Sequence, residues 1–195
     1  MLTGGSTPRR AYELAASSRA DWSGVELWWG DERCVPPTHD LSNYALAERA
    51  LLRRVEVPPA AVHRIRGELP PEEAARAYEE ELDGTLLDVV LLGIGPDGHA
   101  ASLFPHAETL REHKRLVVWA PAQLEPFVDR VTMTIPALES APLVVFLAAG
   151  PAKADAVRRA FVEPPSEATP AGLIRSRMGR TVAILDPAAA QQLGI

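Results

Sequence analysis

The chain alternates between short apolar runs and longer stretches with helical spacing, separated by clusters rich in Gly, Pro, Ser and Asn. Residues 86–92 (LLDVVLL) form the strongest run. Asp88 is their only charge, which predicts a strand buried on both faces of a parallel sheet. Residues 25–29 and 143–148 also read as strands, as do 62–65, 116–120, 130–134 and 181–185. In 130–134 the alternation puts Arg130, Thr132 and Thr134 on one face. Residues 8–18, 42–52, 70–82 and 152–161 predict helices, with local marks at their starts. Thr7 stands as a cap ahead of Pro8, Ser42 is a second cap, and Glu72 and Glu73 occupy a first turn where the helix dipole favours acids. Residues 163–172, with three prolines, predict a loop, and 174–177 a helical turn. Strands alternate with helices, and neither a repeat nor a dividing linker interrupts them. The pattern therefore predicts an α/β fold, a single doubly wound and mostly parallel sheet with helices on both faces, as one domain over 1–195.

The chemistry gathers just past the strands. After 86–92 the chain breaks at Gly93, Gly95, Pro96 and Gly98, and Asp97 and His99 stand in or beyond that turn. In an open α/β sheet ligands sit beyond the carboxyl ends of the strands, so an acid and an imidazole there make a candidate reaction centre. Gly4, Gly5, Ser6 and Thr7 open the first helix and present backbone N–H groups at its positive end, a ready anion site. This loop lacks the lysine of a Walker loop and the spacing of a dinucleotide fingerprint. Asp31, Glu32 and Arg33 follow 25–29 directly, Arg130 projects from its strand, and Lys153 begins a helix where a cation is unfavourable unless an anion binds beside it. Each of these loops, taken singly, also reads as a plain capped or charged turn; His39, His63, His106 and His113 read as structural or surface residues.

Composition changes the picture in four ways. The net charge of −6 argues against nucleic acid as a partner while leaving room for a local basic pocket. Arginine supplies 18 of the 20 basic residues, which fits a GC-rich coding bias and removes any functional reading from most of them. Cys34 is the sole cysteine, so an internal disulfide and a cysteine-rich metal site are both excluded and a reducing, cytoplasmic setting is expected. No apolar run approaches the roughly 20 residues of a membrane span, and no signal peptide precedes Thr3, so no membrane partner is expected. The sequence leaves the oligomeric state open.

Taken together, GGSTP (4–8), WGDERCVPPTHDLSNY (29–44), LGIGPDGHAASLFP (92–105), RVTMT (130–134) and GPAK (150–153) resemble, in order, the 6-phosphogluconolactonases of the glucosamine-6-phosphate isomerase/6-phosphogluconolactonase family. The resemblance implies hydrolysis of 6-phospho-D-glucono-1,5-lactone, a phosphorylated sugar lactone, to 6-phosphogluconate in the oxidative pentose phosphate pathway, with neither metal nor organic cofactor. It implies His99 as the catalytic base supported by Asp97. It also implies that Gly4, Gly5, Ser6, Thr7, Arg33, Arg130 and Lys153 hold the phosphate. The chain departs from the family at Ala100, where threonine is usual, and in having only three residues before Gly4, where the family carries a helix and a strand. Those three residues are too short to aim the glycine loop, so the natural protein is expected to start roughly 35–50 residues earlier, room for one helix and one strand. Two other readings compete. One is deamination and isomerisation of glucosamine 6-phosphate, which would need an acid where Ser102-Leu103-Phe104-Pro105 has none; the other is sugar-phosphate binding without turnover.

Overall fold

The structure, a computed structural model, describes residues 1–18, 20–123 and 125–194. Its strands fall into three hydrogen-bonded ladders. Strand β1 (Leu27–Trp28) runs parallel to β3 (Val62–His63), and β4 (Val89–Gly93), β7 (Leu143–Ala148) and β8 (Arg180–Leu185) form a second parallel ladder in that order. The third, antiparallel, is β2 (Asp31–Arg33), β6 (Arg130–Met133) and β5 (Val117–Ala120). The α/β class read from the sequence holds. The antiparallel ladder is the part its patterning did not assign, because β2 consists of three charged residues that read as a turn. They pair with β6 in register, Asp31 opposite Thr132 and Arg33 opposite Arg130, and the strand can be buried because the carboxylate of Glu32 is fully hydrogen-bonded.

Residues 1–3 join the two parallel ladders. Leu2 N donates to Trp28 O (2.7 Å) and Gly30 N to Leu2 O (2.9 Å), while Leu91 N donates to Met1 O (3.1 Å) and the Met1 amine to Val89 O (2.7 Å). Three residues thus occupy a strand position between β1 and β4. Their exit is aimed by Tyr12, whose hydroxyl accepts from Thr3 N (2.8 Å) and donates to Thr3 O (2.7 Å). The expectation that so short a segment cannot direct the glycine loop is corrected by this tyrosine. The expectation that 86–92 is buried on both faces is corrected as well. Pairing begins only at Val89, and Leu86 is 86% exposed, beside an apolar groove that Met1, Tyr12, Trp22 and Leu27 also line.

Helix α1 (Ser6–Ser17) starts one residue before Thr7. Gly5, at φ 109°, holds the cap position, so Thr7 lies in the first turn instead. Ser42 does cap α2 (Asn43–Ala50), its hydroxyl accepting from Ala45 N at 3.0 Å. Helix α3 (Pro71–Leu82) packs on β5 and β6 and buries Tyr78, whose hydroxyl accepts from Trp29 N and donates to the Trp29 and His63 carbonyls. After the short α4 (Ile135–Glu139) and β7, a 3-10 turn at Pro151–Lys153 leads into α5 (Ala154–Phe161), which packs on α6 (Pro187–Ala190). Residues 174–177 are not helical. Their donors go sideways, Arg175 N and Arg177 N to Glu139 and Ser176 N to Thr181 Oγ1, leaving none for a helical turn. Trp29, Tyr78, Leu92, Leu103, Met133 and Phe146 are fully buried in one contiguous core that backs the carboxyl ends of the parallel strands. Among the described residues no helix is long and apolar enough to cross a membrane.

Candidate active site

The loops leaving residues 1–3, β2, β4 and the turn after β7 surround one cleft. Gly4, Gly5, Ser6 and Thr7 line it, together with Arg33, His99, Arg130 and Lys153, and Asp97 is attached to it through His99. Residues scattered over 150 positions of sequence are thus brought to one place.

One part of the cleft is built for an anion. Helix α1 has neither a side-chain cap nor an acid in its first turn, and its first internal bond runs from Arg9 N to Gly5 O (3.1 Å). The amides of Gly5, Ser6 and Thr7 therefore have no acceptor among the described residues, and Pro8 has no N–H to offer. Gly4 is required for a separate reason: a Cβ there would lie 2.0 Å from Asn43 Oδ1. Arg33 is anchored through Nη1 to Leu41 O, while its Nε is buried without a partner. Arg130 donates Nε to Val128 O (3.0 Å) and lies 5.9 Å over the Phe104 ring. Burial, and then the like charge of Arg33, push the Arg130 pKa below its ordinary value; Asp31 and Glu32 act the other way. Burial likewise lowers Lys153, against the opposing pull of Asp97, and its ammonium has no hydrogen-bond partner among the described residues. Two guanidiniums that repel each other, an ammonium without a hydrogen-bond partner among the described residues and three amides without acceptors make a surface suited to an anion.

The other part holds an imidazole paired with an acid, an arrangement able to move a proton. His99 Nδ1 lies 2.6 Å from Asp97 Oδ1, and the same oxygen accepts from His99 N at 3.3 Å. With Nδ1 engaged by the carboxylate, Nε2 is the nitrogen left to take a proton. Burial raises the Asp97 pKa, but the hydrogen bond and charge of His99 together outweigh it and leave the carboxyl below its ordinary value. The loop is closed by Gly98 N to Gly95 O and Gly95 N to His99 O (both 2.9 Å), and the imidazole packs 5.3 Å from Phe104. Gly95 matters beyond the turn. A Cβ there would fall 2.1 Å from His99 Nδ1 and 2.5 Å from Asp97 Oδ1, so only glycine lets the pair meet. Ala101, at φ 49°, holds a left-handed conformation at the same edge of the cleft.

Several roles were invisible in the sequence. Asp31 lines the cleft, yet both its oxygens are taken, Oδ2 by Ser102 Oγ (2.6 Å) and Oδ1 by Asn43 Nδ2 (3.1 Å). Glu32 turns instead to the start of α2, accepting from Arg33 N, Ser42 Oγ, Asn43 N and Tyr44 N; burial still raises its pKa despite those bonds. No local signal marks Asn43 or Ser102, whose partners lie 12 and 71 residues away. Ala100 is fully buried and lies outside the cleft lining. Burial pushes the Cys34 thiol up to about 11, away from reactivity. His63 stacks on Trp28 at 4.0 Å and reaches Glu81 at 2.7 Å, a structural arrangement. Among the described residues no three His, Cys, Asp or Glu side chains gather where a metal could bind.

Residues 1–183 match the family model described as glucosamine-6-phosphate isomerases/6-phosphogluconolactonase. The chain is 35% identical over 201 residues to the 6-phosphogluconolactonase of Haemophilus influenzae, covering 98% of this chain and 86% of that one. It is 39% identical over 212 residues to the 6-phosphogluconolactonase of Streptomyces coelicolor, covering 99% and 81% respectively. Among solved structures, the 6-phosphogluconolactonase of Thermotoga maritima superposes with a TM-score of 0.86 at 32% identity, covering 95% of this chain and 84% of that one.

Proposed function

The chain belongs to the glucosamine-6-phosphate isomerase/6-phosphogluconolactonase family, and from that premise we propose how its cleft divides the work of lactone hydrolysis. The enzyme is a hydrolase that opens 6-phospho-D-glucono-1,5-lactone to 6-phosphogluconate, the reaction of its relatives in the pentose phosphate pathway. The substrate phosphate docks on the free amides of Gly5, Ser6 and Thr7 and is neutralised by Arg33, Arg130 and Lys153. That contact is remote from the reacting carbon, so its binding energy serves to orient the lactone carbonyl towards His99. His99 Nε2 takes a proton from water as it adds to the carbonyl. Asp97 holds the ring through Nδ1 and stabilises the imidazolium that forms. The imidazolium then returns the proton to the departing ring oxygen, the ring C–O bond breaks, and a carboxylic acid is left to ionise.

The observation that carries this reading is the 2.6 Å contact between His99 Nδ1 and Asp97, in the same cleft as an uncapped helix start and three cations. Deamination would need a further free carboxylate. Asp31 already accepts two hydrogen bonds, and Ser102 to Pro105 supply no acid. One assay set separates the readings: the purified chain should consume the lactone above its spontaneous rate and release no ammonia from glucosamine 6-phosphate. Ammonia release, or 6-phosphogluconate binding without turnover, would overturn the assignment.

The anion contacts make their own prediction. Lys153→Met is the cleanest variant because the ammonium holds nothing else together, whereas Arg33 and Arg130 also tie loops in place. Losing one charge-assisted partner is expected to weaken 6-phosphogluconate binding by about 1.5–3 kcal/mol, with Arg33→Ala and Arg130→Ala at least as damaging. Titration calorimetry with 6-phosphogluconate measures it. Affinity equal to the parent's in the Lys153 variant would remove that residue from the cradle.

A further inference from the structure

Arg159, on α5 and outside the cleft lining, reaches back to the loop that carries the proton-transfer pair. Its Nη2 donates to Pro96 O (3.3 Å) and its Nη1 to Asp97 O (3.4 Å), Ala168 O (3.3 Å) and Thr169 Oγ1 (2.7 Å). Asp155, one turn earlier on α5, fixes the guanidinium through Nε (2.8 Å). Among the described residues the Pro96 and Asp97 carbonyls have no other donor. The inner side of the loop is held by its own backbone, and Gly98 O accepts from Ala171 N (3.0 Å). A Cβ at Gly98 would lie 2.9 Å from Thr169 Cγ2 and 3.2 Å from Arg159 Nη1, so the segment around Thr169 and the guanidinium lie directly against the loop.

We propose that Arg159 is a positioning residue for catalysis: its planar fork sets the two carbonyls that precede and follow the Asp97 nitrogen and Cα, and thereby keeps the Asp97 carboxylate on His99 Nδ1. The proposal rests on the reading of His99 and Asp97 as the proton-transfer pair. The loop from Gly95 to His99, with two glycines and one proline, has little side-chain packing of its own to hold that geometry. A guanidinium bonds two carbonyls at once from a rigid plane, which a lysine cannot do. Arg159 touches none of the anion-binding residues, so its effect should fall on turnover and leave substrate affinity intact.

The test is a double-mutant cycle with kcat, KM and an activity-independent probe. Arg159→Met is expected to lower kcat by about 10²-fold, the cost of misplacing a reacting group by about an ångström, with KM unchanged. Arg159→Lys, which keeps one contact, should fall between parent and Arg159→Met, and it carries the comparison if the methionine variant does not fold. In an Asp97→Asn background Arg159→Met should add almost nothing, because the pair it positions is already broken. Independently, proton NMR should find a downfield Nδ1 proton of His99 in the parent and lose it in Arg159→Met. Losses that multiply in the double mutant, a rise in KM at constant kcat, or an undisturbed Nδ1 proton would each overturn the proposal. A parent without lactonase activity whose Nδ1 proton still depends on Arg159 would sink the proposed reaction and leave the positioning role standing.

Discussion

His99→Ala is expected to cost about 10²–10⁴-fold in lactone hydrolysis, the usual range for a lost general base, with 6-phosphogluconate binding largely intact. No neighbour can take over. Among the described residues His99 is the only imidazole lining the cleft, and the one carboxylate in that lining, Asp31, already accepts from Ser102 and Asn43. Lys153 lines the cleft as well, but in the proposed reading its ammonium is engaged by the substrate phosphate. The variant should fold, since the imidazole is partly exposed and, apart from Asp97, its aromatic contact among the described residues is with Phe104. The measurement is kcat/KM with the spontaneous hydrolysis of the lactone subtracted, beside the affinity for 6-phosphogluconate. Activity within a few-fold of the parent would show that the proton goes elsewhere.

Gly95→Ala should be nearly as severe, although it removes no functional group. The added methyl would stand 2.1 Å from His99 Nδ1, 2.2 Å from Cε1 and 2.5 Å from Asp97 Oδ1. All three are side-chain atoms that must give way, so the imidazole is expected to swing away from its carboxylate. The 2.6 Å contact is then lost, and with it both the orientation of the ring and the partner of its cationic form. A loss of about 10²-fold or more in kcat is expected. The residues proposed to hold the phosphate lie on other segments, so 6-phosphogluconate should still bind and still raise the melting temperature. Near-normal turnover would mean that the pairing of His99 with Asp97 contributes little to the reaction.

The sequence by itself determined whatever depends on neighbours along the chain. Ser42 is legible as a cap because its partner is Ala45, three residues on, and the strand at 143–148 because an unbroken apolar run has few other places to go. That the loops carrying Gly4, His99 and Lys153 meet was legible because the ends of parallel strands share one edge, whereas Arg33 and Arg130 reach the same cleft on the antiparallel β2 and β6. Only the tertiary structure decided the rest. Asp31 to Arg33 became a strand because β6, about a hundred residues later, pairs with it and because four donors satisfy the buried carboxylate of Glu32. Residues 1–3 can aim the glycine loop because Tyr12 folds back onto Thr3. Gly95 looks like any turn glycine until His99 and Asp97 fill the space where its side chain would be, and Arg159 looks like one of 18 arginines until it meets carbonyls 62 and 63 residues away. The physical reason is the same in each case. Propensity and periodicity act over a few residues, whereas desolvation, close approach and the pairing of buried polar groups are set by whichever distant segment the fold brings into contact.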